Sequence, residues 1–422
     1  MAGTRRSSWV WIVFVVVITA VVIAPGTFVA VRLTAPPPPA AVSLHVPAAV
    51  LLDGSGPPPI PVPGTGSFAL ATSMSGSIVA RNAAAVRPIG SVAKAMTALV
   101  VLAAHPLDPG ANGPSITMTG SDVLLYRQAL AEGGSNLRVR AGEVLTERDL
   151  LLALLLPSAD NIAETLAVWV SGNRSAFIAR LNATAAGLGM AHTHFADPSG
   201  LSVRTVSTAA DLVALAKAVI ANPALQDLVG TAHASLPDGT ILNNLDILLN
   251  QQAGWLGIKT GWTGAAGGCL LFADQITYGT GEMVTVWGAV LGQPPAAAGD
   301  PAHPELGQAF AAAQQAVSAA DGAYAAVDLA AFAPQVSGSV TTRWGDSALV
   351  TLSPTETIEA FIRAGAALHF HVTDLSPPAP IAAGTTVGMV TGVLDAKTSI
   401  TWRVVSASAI AAPSLTWRLF SA

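Results

Sequence analysis

The sequence predicts an α+β fold in which an antiparallel sheet packs with a block of helices, followed by a small domain built mainly from strands. Short β-like segments at 67–81 and again at 257–291 flank a long run of helical segments, an order typical of one sheet with helices packed around it. Beyond residue 325 the apolar runs have strand length and are separated by Gly and Pro, which predicts a mainly β domain at 326–422.

The composition bounds what the chain can do. Its 422 residues are enough for two domains with their own cores, with only 11% charged residues and a formal net charge of −5. Such a chain offers no basic surface, so we expect no nucleic-acid partner. Cys269 is the single cysteine, which excludes an intrachain disulfide, and its apolar neighbours predict a place in a strand core.

The N-terminal segment predicts a membrane anchor. Residues 9–31 carry no charge and are long enough to cross a bilayer. Arg5 and Arg6 come before them, so we expect residues 1–8 to form a cytoplasmic tail and the rest of the chain to lie outside the membrane. A cleaved signal peptide is the alternative interpretation, but Pro25 directly follows the only small residue that comes close to fitting a cleavage site.

Residues 32–65 predict a linker. Two proline clusters, 36–39 and 57–63, favour extended polyproline conformation, and the segment lacks the apolar periodicity of a core element. At about 3.1 Å per residue such a stalk could hold a domain tens of ångströms from the membrane. The last residues, 415–422, are expected to be short and strand-like.

The strongest chemical signal lies in Ser91-Val92-Ala93-Lys94. Pro88 and Gly90 interrupt the preceding pattern, and good helix formers follow, so Ser91 should open a helix. Residues three apart share a helix face at roughly 5–6 Å, which lets the Lys94 amine reach the Ser91 hydroxyl. A serine becomes a good nucleophile when a neighbouring base takes its proton. A lysine does so only when uncharged, a form that burial or a second cation would favour.

The middle of the chain predicts a helical block that is followed by strands. We expect helices at 91–104, 145–156, 162–170, 174–188, 208–220 and 304–320, and strands at 257–260, 269–273 and 283–291. Thr146 is a candidate cap, and Pro157 should end its helix, which places Ser158 in the turn before the next helix. Asp197 and Asp211 are expected to form a turn and to cap a helix.

Three short motifs stand in order along the chain: Ser91-x-x-Lys94, Ser158-x-Asp160 and Lys259-Thr260-Gly261. With them the chain resembles the low-molecular-mass D-alanyl-D-alanine carboxypeptidases, which are penicillin-binding serine peptidases of β-lactamase/transpeptidase-like fold. The stretch Pro198-Ser199-Gly200-Leu201 is also similar to the family. The resemblance covers about residues 66–320, so we expect a catalytic domain at 66–325.

The resemblance implies a covalent mechanism. Ser91 would attack the carbonyl of the penultimate D-alanine, and Lys94 would take its proton. Ser158 would pass a proton toward the leaving amine. Terminal D-alanine would leave, and water would then hydrolyse the acyl-enzyme.

The third motif is expected to bind substrate. Lys259 would supply positive potential and Thr260 would hold the terminal carboxylate. Gly261 has no side chain, which would let substrate lie against the strand. The backbone N–H groups of Trp262 and Ser91 would form the oxyanion hole.

The chain departs from the family at Asp160. The family usually has asparagine at this position, commonly followed by aspartate, whereas here the order is Asp160-Asn161. An asparagine amide accepts and donates hydrogen bonds, but an ionised aspartate only accepts and also favours the charged form of nearby lysines. Two alternatives follow: Asp160 takes the substrate-side position, or the turn shifts by one residue and Asn161 faces the site.

The resemblance implies peptidoglycan stem peptides as substrates, acylation by β-lactam antibiotics, no metal or cofactor, and a single-pass location in the bacterial plasma membrane with the catalytic domain outside. A β-lactamase shares these motifs but needs a separate base for deacylation, which the sequence does not identify. A second alternative is an inactive peptidoglycan-binding or scaffold protein that keeps the fold.

Overall fold

The computed structural model describes residues 6–52, 59–74, 76–278, 281–295, 303–395 and 398–421. The chain forms two compact units, one of residues 58–323 and one that combines residues 1–57 with 324–422. Residues 1–5 of the expected cytoplasmic tail, including Arg5, lie outside the described residues, as do residues 53–58 of the expected linker.

The described helices begin and end as follows: α1 Arg6–Ile18, α2 Ala24–Thr34, α3 Ala93–Ala104, α4 Gly120–Ala131, α5 Glu147–Leu155, α6 Asp160–Ser171, α7 Arg174–Gly187, α8 Ala209–Ile220, α9 Pro223–Val229, α10 Gly307–Asp321 and α11 Leu415–Phe420. A π-helical stretch, Thr19–Ile23, joins α1 to α2. The prediction missed α4 and α9.

The described strands are β1 Ala41–His45, β2 Ala49–Leu51, β3 Ser67–Thr72, β4 Gly76–Arg81, β5 Arg87–Pro88, β6 Ser115–Thr117, β7 Val144–Thr146, β8 Val206–Ser207, β9 His233–Ser235, β10 Ile241–Asn243, β11 Trp255–Thr263, β12 Gly267–Thr277, β13 Met283–Gln293, β14 Tyr324–Asp328, β15 Ser337–Thr341, β16 Ser347–Pro354, β17 Glu359–Arg363, β18 Ala367–Asp374, β19 Thr386–Val393 and β20 Ser399–Ser406. The prediction missed β14, β17 and β19, among others.

The unit of residues 58–323 is built on one five-stranded antiparallel sheet of order β11-β12-β13-β3-β4. Both faces of this sheet are buried, which is why its central strands read as continuous apolar runs. Within β12, Leu271 packs on one face with the helical block, while Leu270 and Phe272 pack on the other with α10. Cys269 lies in this core, and burial raises the pKa of its thiol to about 12, so the thiol stays protonated.

Helices α3, α5, α6 and α8 contribute most of the helical residues in the core on the first face of the sheet. Helix α5 begins as predicted with Thr146 as its cap. The Thr146 hydroxyl accepts from the Asp149 N–H at 3.2 Å, and the Asp149 carboxylate accepts from the Thr146 N–H at 2.9 Å. Helix α5 then ends close to Pro157, and α6 starts at Asp160, which leaves a short turn that carries Ser158. This turn positions the second predicted motif.

The unit of residues 1–57 and 324–422 corrects the expectation of a linker over 32–65. Residues 41–45 and 49–51 are strands of a seven-stranded sheet of order β1-β15-β16-β20-β19-β18-β2. Strand β1 pairs with β15 from Ala41↔Thr341 to His45↔Ser337, and β2 pairs with β18. Ala40 and Leu52 are buried there. The proline clusters favoured the prediction of a linker. The two strands between them are short, and they pair with strands far along the chain.

The chain's last described residues also differ from the prediction. Leu415–Phe420 form the helix α11 instead of a strand, with the Ser414 hydroxyl accepting from the Trp417 N–H at 3.2 Å. At the other end, Trp9–Thr34 is a helical stretch of 26 residues, long and apolar enough to cross a membrane. A signal sequence passes the same test of length and composition.

Glu147, the first residue of α5, is fully buried, and neither of its carboxyl oxygens has a hydrogen-bond partner among the described residues. Burial raises the pKa of this carboxyl to about 7. The folded protein therefore holds a proton that the unfolded chain releases near its ordinary pKa of 4.5. The resulting stabilisation is full below 4.5 and is lost as the pH rises through about 7.

We expect Glu147→Gln to remove this pH dependence because the amide keeps the shape and cannot ionise. At about pH 8 the variant should be more stable than the parent by roughly 1–3 kcal/mol, with little difference at about pH 4. Thermal unfolding across this pH range measures the effect. Glu132→Gln, at an exposed carboxylate, is the control. Parallel curves for the parent and Glu147→Gln would show that the Glu147 carboxyl does not titrate in the folded protein.

Candidate active site

Ser91 and Lys94 form the centre of the site. Ser91 lies in the 3₁₀ turn Gly90–Val92 that leads directly into α3, and Lys94 is on the first turn of that helix. Their side chains meet, with 2.7 Å between Lys94 Nζ and Ser91 Oγ. Lys94 is fully buried in the core below the serine. The predicted nucleophile and base are therefore in hydrogen-bond contact.

Lys94 also touches three other groups. Its Nζ lies 3.2 Å from Ser158 Oγ, 2.6 Å from Asp160 Oδ1 and 3.1 Å from the carbonyl oxygen of Ser199. The Asp160 contact is an ion pair between two buried side chains. Because an ammonium group has only three protons, these four neighbours compete for its donors.

Ser158 has a left-handed backbone conformation, with φ of +67°. Such a conformation is unfavourable for a residue with a side chain and persists where the surrounding structure enforces it. Here the N–H of Ala159 donates to the Ala153 carbonyl at 3.0 Å and that of Asp160 to the Ser135 carbonyl at 2.8 Å. These bonds hold the turn so that the Ser158 hydroxyl reaches Lys94.

The structure distinguishes the two alternatives for the second motif. Asp160 contacts Lys94, whereas the Asn161 amide binds the backbone of Leu137, accepting from its N–H and donating to its carbonyl, both at 2.9 Å. The turn is therefore not shifted. The expectation that Asn161 belongs to the substrate-binding set is not supported by this geometry, because its side chain is used to hold the segment that carries Leu137.

Lys259 and Thr260 lie on β11, the edge strand beside the turn that carries Ser91. Both are buried, and Lys259 Nζ has a single hydrogen bond among the described residues, to Thr260 Oγ1 at 3.5 Å. Burial, together with the nearby positive charge of Lys94, lowers the pKa of the Lys259 amine to about 7. Asp160 and Asp246 act in the opposite direction.

The lack of a side chain at Gly261 serves the fold itself, while its predicted contact with substrate stays a prediction. A Cβ atom at this position would lie 2.9 Å from the Ile89 carbonyl oxygen and 3.0 Å from the Ser91 backbone nitrogen. A side chain would thus push β11 away from the nucleophile turn, so the glycine permits close contact between two parts of the protein. In the same way, a Cβ at Gly90 would lie 3.1 Å from the Trp262 nitrogen. The backbone nitrogens of Ser91 and Trp262 therefore lie on adjoining segments.

A cleft of about 100 Å³ opens over these groups. Its lining brings together Ser91, Ser135, Ser158, Thr260, Gly261 and Trp262. Lys94, Asp160 and Lys259 lie beneath it, buried. His303 and Glu305, whose side chains are 3.1 Å apart, add a polar pair to the wall. No sequence pattern predicted this pair, since it precedes α10 and is far in sequence from each motif.

Two other residues of the site were not predicted from the sequence. The Ser199 carbonyl touches Lys94, and its loop is fixed by Asp197, whose carboxylate accepts from the Ser199 hydroxyl and the Gly200 N–H. Asp197 thus forms a turn, as expected. The family-like stretch 198–201 was the sequence feature that could have pointed to Ser199.

Asp246 is buried near Lys259 and accepts from Trp255 Nε1 at 2.9 Å. Burial raises the pKa of the Asp246 carboxyl to about 6.

Comparison with known proteins agrees with this geometry. Residues 64–286, just over half of the chain, match the family model described as D-alanyl-D-alanine carboxypeptidase. A D-alanyl-D-alanine endopeptidase of Pseudomonas aeruginosa is 33% identical over 216 residues, which cover 50% of this chain and 66% of that protein. A D-alanyl-D-alanine carboxypeptidase of Mycobacterium tuberculosis is 39% identical over 134 residues, covering 30% of this chain and 46% of that protein.

The chain thus spans about half to two thirds of the length of the curated relatives it matches. Among solved structures, the Streptomyces K15 DD-transpeptidase superposes with a TM-score of 0.52 at 26% identity, covering 62% of this chain and 99% of that one. The predicted α+β, transpeptidase-like fold of the catalytic part is confirmed. The chain belongs to the D-alanyl-D-alanine carboxypeptidase family.

Proposed function

We propose that the chain is a serine-type D-Ala-D-Ala carboxypeptidase that removes the terminal D-alanine from peptidoglycan stem peptides through an acyl-enzyme at Ser91. One observation carries this proposal: the Ser91 hydroxyl, the Lys94 amine and the Ser158 hydroxyl form a hydrogen-bonded set at the floor of a cleft. Family membership supports the same activity.

In the acylation step, neutral Lys94 takes the Ser91 proton while Ser91 Oγ bonds to the carbonyl carbon of the penultimate residue. The C–N bond then breaks, and the leaving amine of D-alanine receives a proton from Lys94 through the Ser158 hydroxyl. The oxyanion that forms in between accepts from the Ser91 and Trp262 N–H groups. Water finally attacks the ester, which releases the shortened peptide and restores Ser91.

The carboxylate of the substrate distinguishes a carboxypeptidase site from a general peptidase site. Thr260 faces the cleft, and Lys259 lies directly behind it in a buried position, where positive charge acts on a ligand with little screening. An incoming carboxylate binds best when the Lys259 amine is protonated. Because the pKa of this amine is about 7 in the free protein, carboxylate binding should weaken as the pH rises through about 7.

The test is the release of D-alanine from a peptide ending in D-Ala-D-Ala, with benzylpenicillin as the second ligand. We expect D-alanine release and one covalent penicillin adduct by intact-mass measurement. Rapid loss of the adduct by hydrolysis would support a β-lactamase instead. A protein that neither releases D-alanine nor forms an adduct would be an inactive wall-binding homologue, and the proposal would be wrong.

We also propose that the chain is a single-pass protein of the bacterial plasma membrane, with its catalytic unit outside. The helical stretch Trp9–Thr34 is of sufficient length and hydropathy, and Arg6 precedes it. A substrate in the cell wall requires an extracytoplasmic active site.

A further inference from the structure

A cavity of about 280 Å³ lies in the unit of residues 1–57 and 324–422, outside the catalytic unit. Three arginines line it: Arg32 from the last turn of α2, Arg343 from the turn after β15, and Arg418 from α11. We call it the arginine pocket. None of its lining residues is acidic, and among the described residues none of the three arginines forms an ion pair.

The arginines are held in place by a few contacts that leave most of their donors free. Arg32 Nη1 donates to the Ser421 carbonyl at 2.8 Å, and Arg418 Nη2 donates to the Ala35 carbonyl at 2.6 Å. These two bonds join the end of α2 to α11. Each guanidinium has five N–H donors, so several of them remain for a ligand. Arg343 makes no hydrogen bond to any described residue and is exposed.

Three guanidinium groups that line one pocket with no acidic partner among the described residues repel one another, and a bound anion would stabilise them. A phosphate group fits this arrangement best, because its oxygens match the paired N–H donors of arginine. The walls are not fully polar: Pro36, Pro37 and the Trp417 ring also line the pocket. A ligand with a phosphate and an adjoining apolar part would therefore satisfy both kinds of wall.

The position of the arginine pocket along the chain indicates a lipid as the source of the phosphate. About 20 helical residues span the roughly 30 Å hydrocarbon core, so a helix that enters at Trp9 leaves the core near Phe28. Arg32 is one turn further, at the level of the headgroups. The neighbouring helix α11 exposes 67% of Leu415 and 81% of Phe420, apolar side chains that suit a membrane interface.

Trp417 strengthens this placement. Its ring packs edge-on against Trp344, with centroids 5.4 Å apart. Tryptophan is enriched where one part of the ring meets hydrocarbon and the other meets headgroups. We propose that the arginine pocket binds the phosphate headgroup of an anionic phospholipid in the outer leaflet, an inference that rests on the proposed membrane anchor.

The test uses the full chain purified in neutral detergent and given equal amounts of phosphatidylglycerol and phosphatidylcholine. Native mass spectrometry then measures which lipid stays bound. We expect the parent to retain one phosphatidylglycerol, and Arg343→Gln and Arg418→Gln each to weaken its retention about tenfold. Arg343→Gln is the cleaner variant because Arg343 supports no described contact. Arg403→Gln, at an exposed arginine of β20, is the matched control and should bind as the parent does.

Equal retention of the two lipids, or full retention in Arg343→Gln, would overturn the proposal. So would displacement of the lipid by millimolar inorganic phosphate, which would assign the pocket to free phosphate. Carbonate extraction of the membranes tests the anchor separately: a chain released by carbonate would overturn the anchor, whereas an anchored chain without lipid preference would overturn only the pocket. D-alanine release measured on the same samples should be unchanged in Arg343→Gln.

Discussion

We expect Ser91→Ala to abolish the penicillin adduct and to lower D-alanine release by at least about ten-thousandfold, because the variant lacks the atom that forms the ester in the proposed mechanism. The effect should appear in kcat and not in KM, since Ser91 Oγ bonds to the carbonyl carbon only after the substrate is in place. The measurements are intact mass after incubation with benzylpenicillin and the initial rate of D-alanine release.

The control for this variant is Ser175→Ala, at an exposed serine of α7, which should keep full activity. Thermal unfolding separates lost chemistry from lost structure. Ser91 contributes one hydrogen bond to Lys94, so the variant should remain folded, with a change of about 1 kcal/mol. A penicillin adduct that survives in Ser91→Ala would remove Ser91 from the role of nucleophile.

Local patterns predicted the parts of the site that depend on short spacing. Ser91 and Lys94 are one helical turn apart, so an element of a few residues brings their side chains together. Lys259 and Thr260 were predicted to lie on a strand, and they do lie on β11. The capping of α5 by Thr146, and the end of that helix before Ser158, also follow from residues near in sequence.

Contacts between distant segments could not be predicted in the same way. The Ser199 carbonyl reaches Lys94 because Asp197 fixes a loop more than a hundred residues away along the chain, a bond that no periodicity signals. The first two strands were hidden for a similar reason: β1 and β2 are short, and their partners β15 and β18 lie at the other end of the sequence. The role of Gly261 depends on the distance between β11 and the nucleophile turn, which only the folded structure gives.

We expect the Asp160–Lys94 ion pair to slow the proposed acylation, and we expect the substitution Asp160→Asn to relieve this effect. In the proposed mechanism Lys94 accepts the Ser91 proton as a neutral amine, and a carboxylate oxygen 2.6 Å from Nζ attracts the charged form of an amine. In Asp160→Asn the side-chain oxygen can still accept from Lys94 Nζ, but the negative charge is gone. We therefore expect the parent to acylate slowly near neutral pH and faster in alkaline solution. The variant should acylate at least about tenfold faster at neutral pH, with its profile moved to lower pH.

The same substitution should have an opposite effect on binding, which makes the prediction specific. Asp160 helps to keep the pKa of Lys259 from falling below about 7, so its loss lowers that pKa further and removes positive charge at neutral pH. A ligand carboxylate should then bind more weakly, so the dissociation constant of the β-lactam before acylation should rise while the acylation rate constant also rises. Stopped-flow acylation by a chromogenic β-lactam across pH separates the two constants. Asp238→Asn, at an exposed carboxylate, should change neither. The charge argument would be contradicted if Asp160→Asn changed neither constant while Asn161→Ala were stable but inactive. Asn161 would then be the residue that faces the substrate.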